Sequence, residues 1–120
     1  MKRILIIEDH ESNIYLISFI LKKHGYGVIE ARGGEEGIAL VCNARPDLII
    51  MDIQLPRIDG LETTRRIRQS EGDEKIPIIA LTSFAMMGDR ERALAAGCTG
   101  YIEKPINPET FINEIESCLL

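Results

Sequence analysis

No stretch of about 18 consecutive apolar residues occurs in the chain, so no segment reads as a membrane-spanning helix. The opening Met1-Lys2-Arg3 leads straight into a short strand-like run with no small-residue cleavage site. A secretory signal is therefore not expected, and the expected location is cytoplasmic. Cysteine is scarce. Cys42, Cys98 and Cys118 are far apart, odd in number and form neither a CxxC motif nor a zinc spacing, which suits a reducing compartment and small packing residues. Positive charge is also short: 14 Lys and Arg stand against 19 Asp and Glu, for a net charge of −5. The single dense basic stretch, Arg65-Arg66-Ile67-Arg68, is balanced by flanking acids. A nucleic-acid partner held by bulk charge needs a basic face, so none is expected. Internal repeats, linkers and low-complexity segments are missing too, and 120 residues suffice for one domain, 1–120, with no effector domain expected.

What the chain does contain is a regular alternation of short apolar runs and longer helical patterns. Strands are expected at Arg3–Glu8, Gly27–Ala31, Leu48–Met51, Ile78–Leu81 and Gly100–Glu103. Between and after them lie five helical patterns. The first starts near Ser12 or Asn13, carries Ile14, Ile17 and Leu21 on one face and stops at Gly25. The second covers Gly34–Asn43 with Ile38 and Val41 inward, before Pro46; the third covers Leu61–Gln69 with Leu61, Thr64 and Ile67 in register. The fourth covers Phe84–Ala95 and ends at Gly97, and the fifth opens on Asn107 as cap and Pro108 at the first helical position, with Phe111, Ile115, Cys118 and Leu119 on its apolar face. Alternating strands and helices imply βαβ units and a parallel sheet. Ile4–Ile7 and Leu48–Met51 are apolar at every position, the pattern of strands covered on both faces, so a three-layer α/β fold is expected.

The ends of those strands carry the chemistry. Glu8 and Asp9 follow the first run, Asp52 the third, Thr82 the fourth and Lys104 the fifth. In a parallel sheet these ends share one edge, where open α/β folds bind ligands. Each residue alone is more often a turn former, a helix cap or a solvated charge. Together, at the ends of apolar strands, they describe a site for a divalent cation and a phosphoryl group. Magnesium takes oxygen ligands and retains several waters. Asp9 and Asp52 are the direct-ligand candidates, the Gln54 carbonyl is placed to join them, and the longer Glu8 would reach through water; manganese is the expected substitute ion. Asp52 can then act as a nucleophile toward phosphorus, with Lys104 and the Thr82 hydroxyl stabilising the equatorial oxygens.

These residues also resemble a family. Glu8-Asp9, Met51-Asp52-Ile53-Gln54-Leu55-Pro56 followed by Asp59-Gly60, Leu81-Thr82-Ser83, Ala96-Gly97, and Tyr101 ahead of Lys104-Pro105 are similar in order and spacing to the receiver domains of two-component response regulators, the CheY-like domains. The resemblance spans almost the whole chain. It implies a flavodoxin-like sheet of strand order 2-1-3-4-5. It also implies a bacterial phosphorelay protein whose Asp52 takes a phosphoryl group from a phosphohistidine on a histidine kinase or phosphotransfer protein. Such a protein is a signalling switch that catalyses its own Mg-dependent phosphorylation and dephosphorylation rather than an enzyme acting on an external substrate. The resemblance further implies that Glu8, Asp9, Asp52 and Gln54 hold Mg2+, that Lys104 contacts the phosphoryl group, and that Thr82 moves toward it while Tyr101 turns inward. The Lys104–Pro105 peptide would be cis. The output face would be helix four, strand five and helix five, with Met86 and Met87 as adaptable contacts, Gln54 and Phe84 would influence hydrolysis, and the protein would be a monomer or weak dimer. Glu8 departs mildly from the family's commoner Asp. A phosphatase of the haloacid-dehalogenase type would need an acid where Gln54 stands, and an FMN carrier would need a glycine- and hydroxyl-rich loop where Glu8-Asp9-His10-Glu11 stands.

Overall fold

A computed structural model describes residues 1–70, 75–83 and 88–119. The chain runs β1 (Arg3–Ile7), α1 (Glu11–Lys23), β2 (Gly27–Ala31), α2 (Gly34–Ala44), β3 (Leu48–Asp52), α3 (Gly60–Ser70), β4 (Ile78–Thr82), α4 (Asp89–Ala96), β5 (Gly100–Glu103) and α5 (Pro108–Leu119). All five strands are parallel, in the order β2-β1-β3-β4-β5. Phe84, Met86 and Met87, and with them the first part of the expected fourth helix, lie outside the described residues.

Strand periodicity builds two cores, because successive side chains point to opposite sheet faces. Ile4, Ile6, Leu48, Ile50, Ile79 and Leu81 pack with Ile17, Ile20 and Leu21 of α1 and with Phe111, Ile112 and Ile115 of α5. Leu5, Ile7, Ile49, Met51, Ile78 and Ala80 pack with Val41 of α2, Ile67 of α3 and Ala93 of α4. The sheet is therefore the middle of three layers, and its central strands read as continuous apolar runs because they are covered on both sides. The edge strands β2 and β5 are only half-buried along most of their length.

Several boundaries differ from the sequence expectation, each for a local reason. Helix α1 begins at Glu11, with His10 at the cap position, and neither Ser12 nor Asn13 caps it. The Glu8 carboxylate accepts the His10 backbone N–H at 3.1 Å and the Asn13 side-chain amide at 3.3 Å, so an acid left over from the strand end serves the helix start. Helix α2 runs one residue further, to Ala44, and the turn before Pro46 is made by Arg45 in the left-handed region. In α2, Gly37 is buried along with Val41 while Ile38 is half-buried. A Cβ at Gly37 would come within 2.4 Å of the Ile7 side chain, so α2 lies close on β1. Helix α3 gains a residue at each end and buries Thr63, Thr64 and Ile67 rather than Leu61. Its start is capped by Asp59, whose carboxylate accepts the Glu62 N–H at 2.8 Å. Helix α5 begins as expected: Asn107 accepts the Glu109 N–H at 3.0 Å, and Ile112 joins its buried face.

Candidate functional site

Strand order reverses between β1 and β3: the chain goes from β1 outward to β2, then returns across β1 to β3. The helices leaving these two strands lie on opposite faces, which opens a crevice at the carboxyl ends of β1 and β3. Glu8 and Asp9 leave β1 there, Asp52 is the last residue of β3, and Thr82 is the last of β4. Lys104 directly follows β5, and its backbone N–H donates to the Thr82 carbonyl at 2.7 Å. The Lys104–Pro105 peptide is cis.

The side chains converge. Lys104 Nζ donates to Glu8 Oε1 at 2.8 Å and lies 3.4 Å from Asp52 Oδ1. The Gln54 backbone N–H donates to Asp52 Oδ1 at 3.1 Å. Carboxylate oxygens of Glu8, Asp9 and Asp52 and a ring nitrogen of His10 lie within 4.8 Å of one another. Asp52 is 1 % exposed and Glu8 0 %, with Lys104 folded over both. Asp9 is more open, and His10 stands mostly in solvent with its Nδ1 3.3 Å from both Glu8 and Asp9.

Burial and like charge set the electrostatics. Burial, and next the neighbouring Glu8 carboxylate, push Asp52 up to about 6, against the opposing pull of Lys104 and the Gln54 N–H. Burial also works against ionised Glu8, but the hydrogen bonds from Lys104, Asp52 and the His10 N–H outweigh it and hold Glu8 below the usual carboxylate range. Lys104 thus favours the ionised form of Glu8, and of the two carboxyls Asp52 is the one raised above the usual range. Within this cluster Asp9 Oδ1 is buried yet accepts no hydrogen bond. A buried carboxylate oxygen that accepts no hydrogen bond, approached by the His10 ring at 3.3 Å and beside two further carboxylates, fits a hard divalent cation that takes oxygen ligands.

With that geometry in place, the comparison with known proteins is decisive. The model of the response regulator receiver domain matches residues 4–116. The chain belongs to the response regulator receiver family. It is 45 % identical over 118 residues to the polar-differentiation response regulator DivK of Brucella anthropi, which covers 98 % of this chain and 96 % of that protein. The chemotaxis response regulator CheY4 of Vibrio cholerae superposes with a TM-score of 0.92 at 32 % identity, covering 100 % of this chain and 99 % of that one. The receiver domain of a Pseudomonas aeruginosa sensor histidine kinase, solved with a magnesium ion coordinated in its active site cleft, gives a TM-score of 0.89 at 36 % identity over 98 % of this chain and 97 % of that one. As a receiver, the chain is a CheY-like signalling domain of a two-component system. Among the described residues no helix is long and apolar enough to cross a membrane.

The receiver site contains contacts that no motif announced. The Gln54 side chain, expected only as the bearer of a carbonyl and an influence on hydrolysis, donates from Nε2 to Thr82 Oγ1 at 3.0 Å, and its Oε1 accepts the Ser83 N–H at 3.3 Å. His10, mostly exposed, reaches back with its ring nitrogen to the acid cluster. Tyr101 is half-buried against the core layer of α2, α3 and α4 and helps line a cavity of about 280 Å³ with Arg90, Ile102, Glu114 and Cys118. His24 caps the end of α1, where its ring Nδ1–H donates to the Ile20 carbonyl at 2.9 Å. Arg57 and Arg90 are exposed.

Proposed function

We propose that this receiver is a phosphorylation-driven switch whose Asp52 accepts a phosphoryl group from a phosphohistidine on a histidine kinase or phosphotransfer protein. The supporting observation is the convergence at one sheet edge: an acid cluster within 4.8 Å and a lysine 3.4 Å from the proposed nucleophile. Asp9, Asp52, the Gln54 carbonyl and Glu8 would hold a divalent cation, Mg2+ or in its place Mn2+. When bound, such an ion supplies positive charge that keeps Asp52 ionised and screens an incoming phosphoryl group.

This chain's residues do the rest. An Asp52 carboxylate oxygen attacks phosphorus, an O–P bond forms, and the N–P bond of the donor breaks with its electron pair returning to the imidazole. Lys104, already paired with both carboxylates, follows the charge as it spreads over the phosphoryl oxygens. Thr82, on the neighbouring strand, offers a hydroxyl to one of those oxygens and moves to reach it. Tyr101 then turns into the space Thr82 leaves, which reshapes the surface of α4, β5 and α5 for a downstream protein. Hydrolysis of the aspartyl phosphate by water resets the switch, so the domain catalyses both steps on itself.

Incubation with acetyl phosphate and Mg2+, followed by intact-mass measurement, tests the reading. Wild-type protein should gain one phosphoryl group, and the gain should vanish in Asp52→Asn and in EDTA. Labelling that survives either change would assign the acceptor or the ion dependence elsewhere.

A further inference from the structure

Gln54 joins the ends of two strands through three hydrogen bonds. Its backbone N–H donates to Asp52 Oδ1 at the end of β3. Its carboxamide reaches β4, donating from Nε2 to Thr82 Oγ1 at 3.0 Å and accepting the Ser83 N–H on Oε1 at 3.3 Å. The two side-chain contacts fix the amide's orientation, because the reverse arrangement would set the NH2 group against the Ser83 N–H. Thr82 itself is 1 % exposed, so its hydroxyl is held within the protein.

We propose that the Gln54 carboxamide is a latch for the resting state, holding the Thr82 hydroxyl and the Ser83 N–H away from Asp52 until a phosphoryl group competes for them. The inference rests on the phosphorylation reading above and adds a positioning residue to it. The competition has a definite sign. The neutral carboxamide accepts the Ser83 N–H and anchors the Thr82 oxygen by donating to it, whereas a charged phosphoryl oxygen would accept that N–H and the Thr82 O–H in bonds roughly twice as strong. An amide can therefore hold Thr82 against solvent and still yield it to phosphate. Each neutral bond biases an equilibrium by about two- to tenfold, so the pair supplies a bias that thermal motion does not erase and phosphorylation overcomes. Gln54 does this from an exposed position on the loop after β3, so the latch can open without unpacking the core.

Two variants separate hydrogen bonding from shape. Gln54→Met keeps the side chain's length and removes both bonds. Gln54→Glu keeps an acceptor for the Ser83 N–H and lets Thr82 donate in the opposite sense. Amide chemical shifts of Thr82, Ser83 and Tyr101 in 15N-labelled protein would be measured without phosphodonor. They would be read against the wild-type end points before and after acetyl phosphate with Mg2+. Gln54→Met should move these amides along the line between the end points, corresponding to about a tenfold gain in the switched population, while Gln54→Glu stays near the resting position. The latch is overturned if the Gln54→Met amides remain at the resting position, or if both variants move equally, since shape or solvent access would then be the cause. Wild-type protein that shows no second end point, and gains no mass from acetyl phosphate, would overturn the phosphorylation reading itself and the latch with it. Failure of the latch alone would leave wild-type labelling intact.

Discussion

Asp52 loses almost all contact with water because β3 is hydrogen-bonded between β1 and β4 and Lys104 folds over its end. The cost of ionising it there appears as a rise from 3.8 to about 6, which corresponds to about 3 kcal/mol at neutral pH. The sign follows from linkage. A carboxyl whose folded value is raised contributes stability that is complete below about 3.8 and is lost as the pH climbs through about 6. Glu8, held low, acts in the opposite sense: its contribution is present above 4.5 and disappears only on acidification through its depressed value. Urea denaturation of the EDTA-treated protein across that window should therefore show stability falling between about pH 4.5 and pH 6.5. In Asp52→Asn the fall should vanish, and at pH 7 the variant should be more stable than wild type by about 1–3 kcal/mol, the Lys104 attraction being already included in the net rise. A variant no more stable than wild type at neutral pH would contradict the buried-charge account.

At the scale of an element, the loop after β3 shows why Asp59 is followed by glycine. Asp59 caps α3, and Gly60, its first residue, lies under the end of β3. A Cβ there would sit 2.3 Å from the Asp52 carbonyl oxygen and 2.7 Å from the Ile53 Cα, both backbone atoms with little room to yield. Gly60→Ala should therefore cost about 2–3 kcal/mol in a urea melt, well beyond a surface substitution. It should also slow labelling of Asp52, because the atom displaced belongs to the proposed nucleophile's own residue. The sequence offers Asp59-Gly60 as part of a motif, and the structure makes them the cap and first residue of α3; the packing reason for the glycine depends on a strand end that chain-local patterns do not place. The same limit explains α1. Ser12 and Asn13 are good caps by type, but Glu8 arrives first because only three residues lie between the strand and the helix.

For the whole molecule, the cluster of acids is a free-energy liability that a bound cation would relieve. A cation that binds only the folded state stabilises it by about 2.7 kcal/mol at a hundred times its dissociation constant. Thermal melts in Mg2+ and in EDTA should differ accordingly, with the midpoint rising in Mg2+. Asp9→Asn, which removes the charge of a buried carboxylate oxygen that accepts no hydrogen bond, should shrink that difference. A midpoint indifferent to Mg2+ in wild type would show that the acids do not gather around an ion.

The sequence by itself determined the alternation of strands and helices, the both-sided burial of β1 and β3, and the set of residues at the strand ends. Those features follow from local periodicity and from the identity of the residue that ends each apolar run. Tertiary structure decided the rest: that Lys104 pairs with Glu8 across 96 positions, that Gln54 reaches Thr82, and that burial raises Asp52 while hydrogen bonds hold Glu8 low. The physical reason is that charge and hydrogen-bond competition depend on distances between strand ends. Those distances exist only after the strand order is set and the two helical layers close over the sheet.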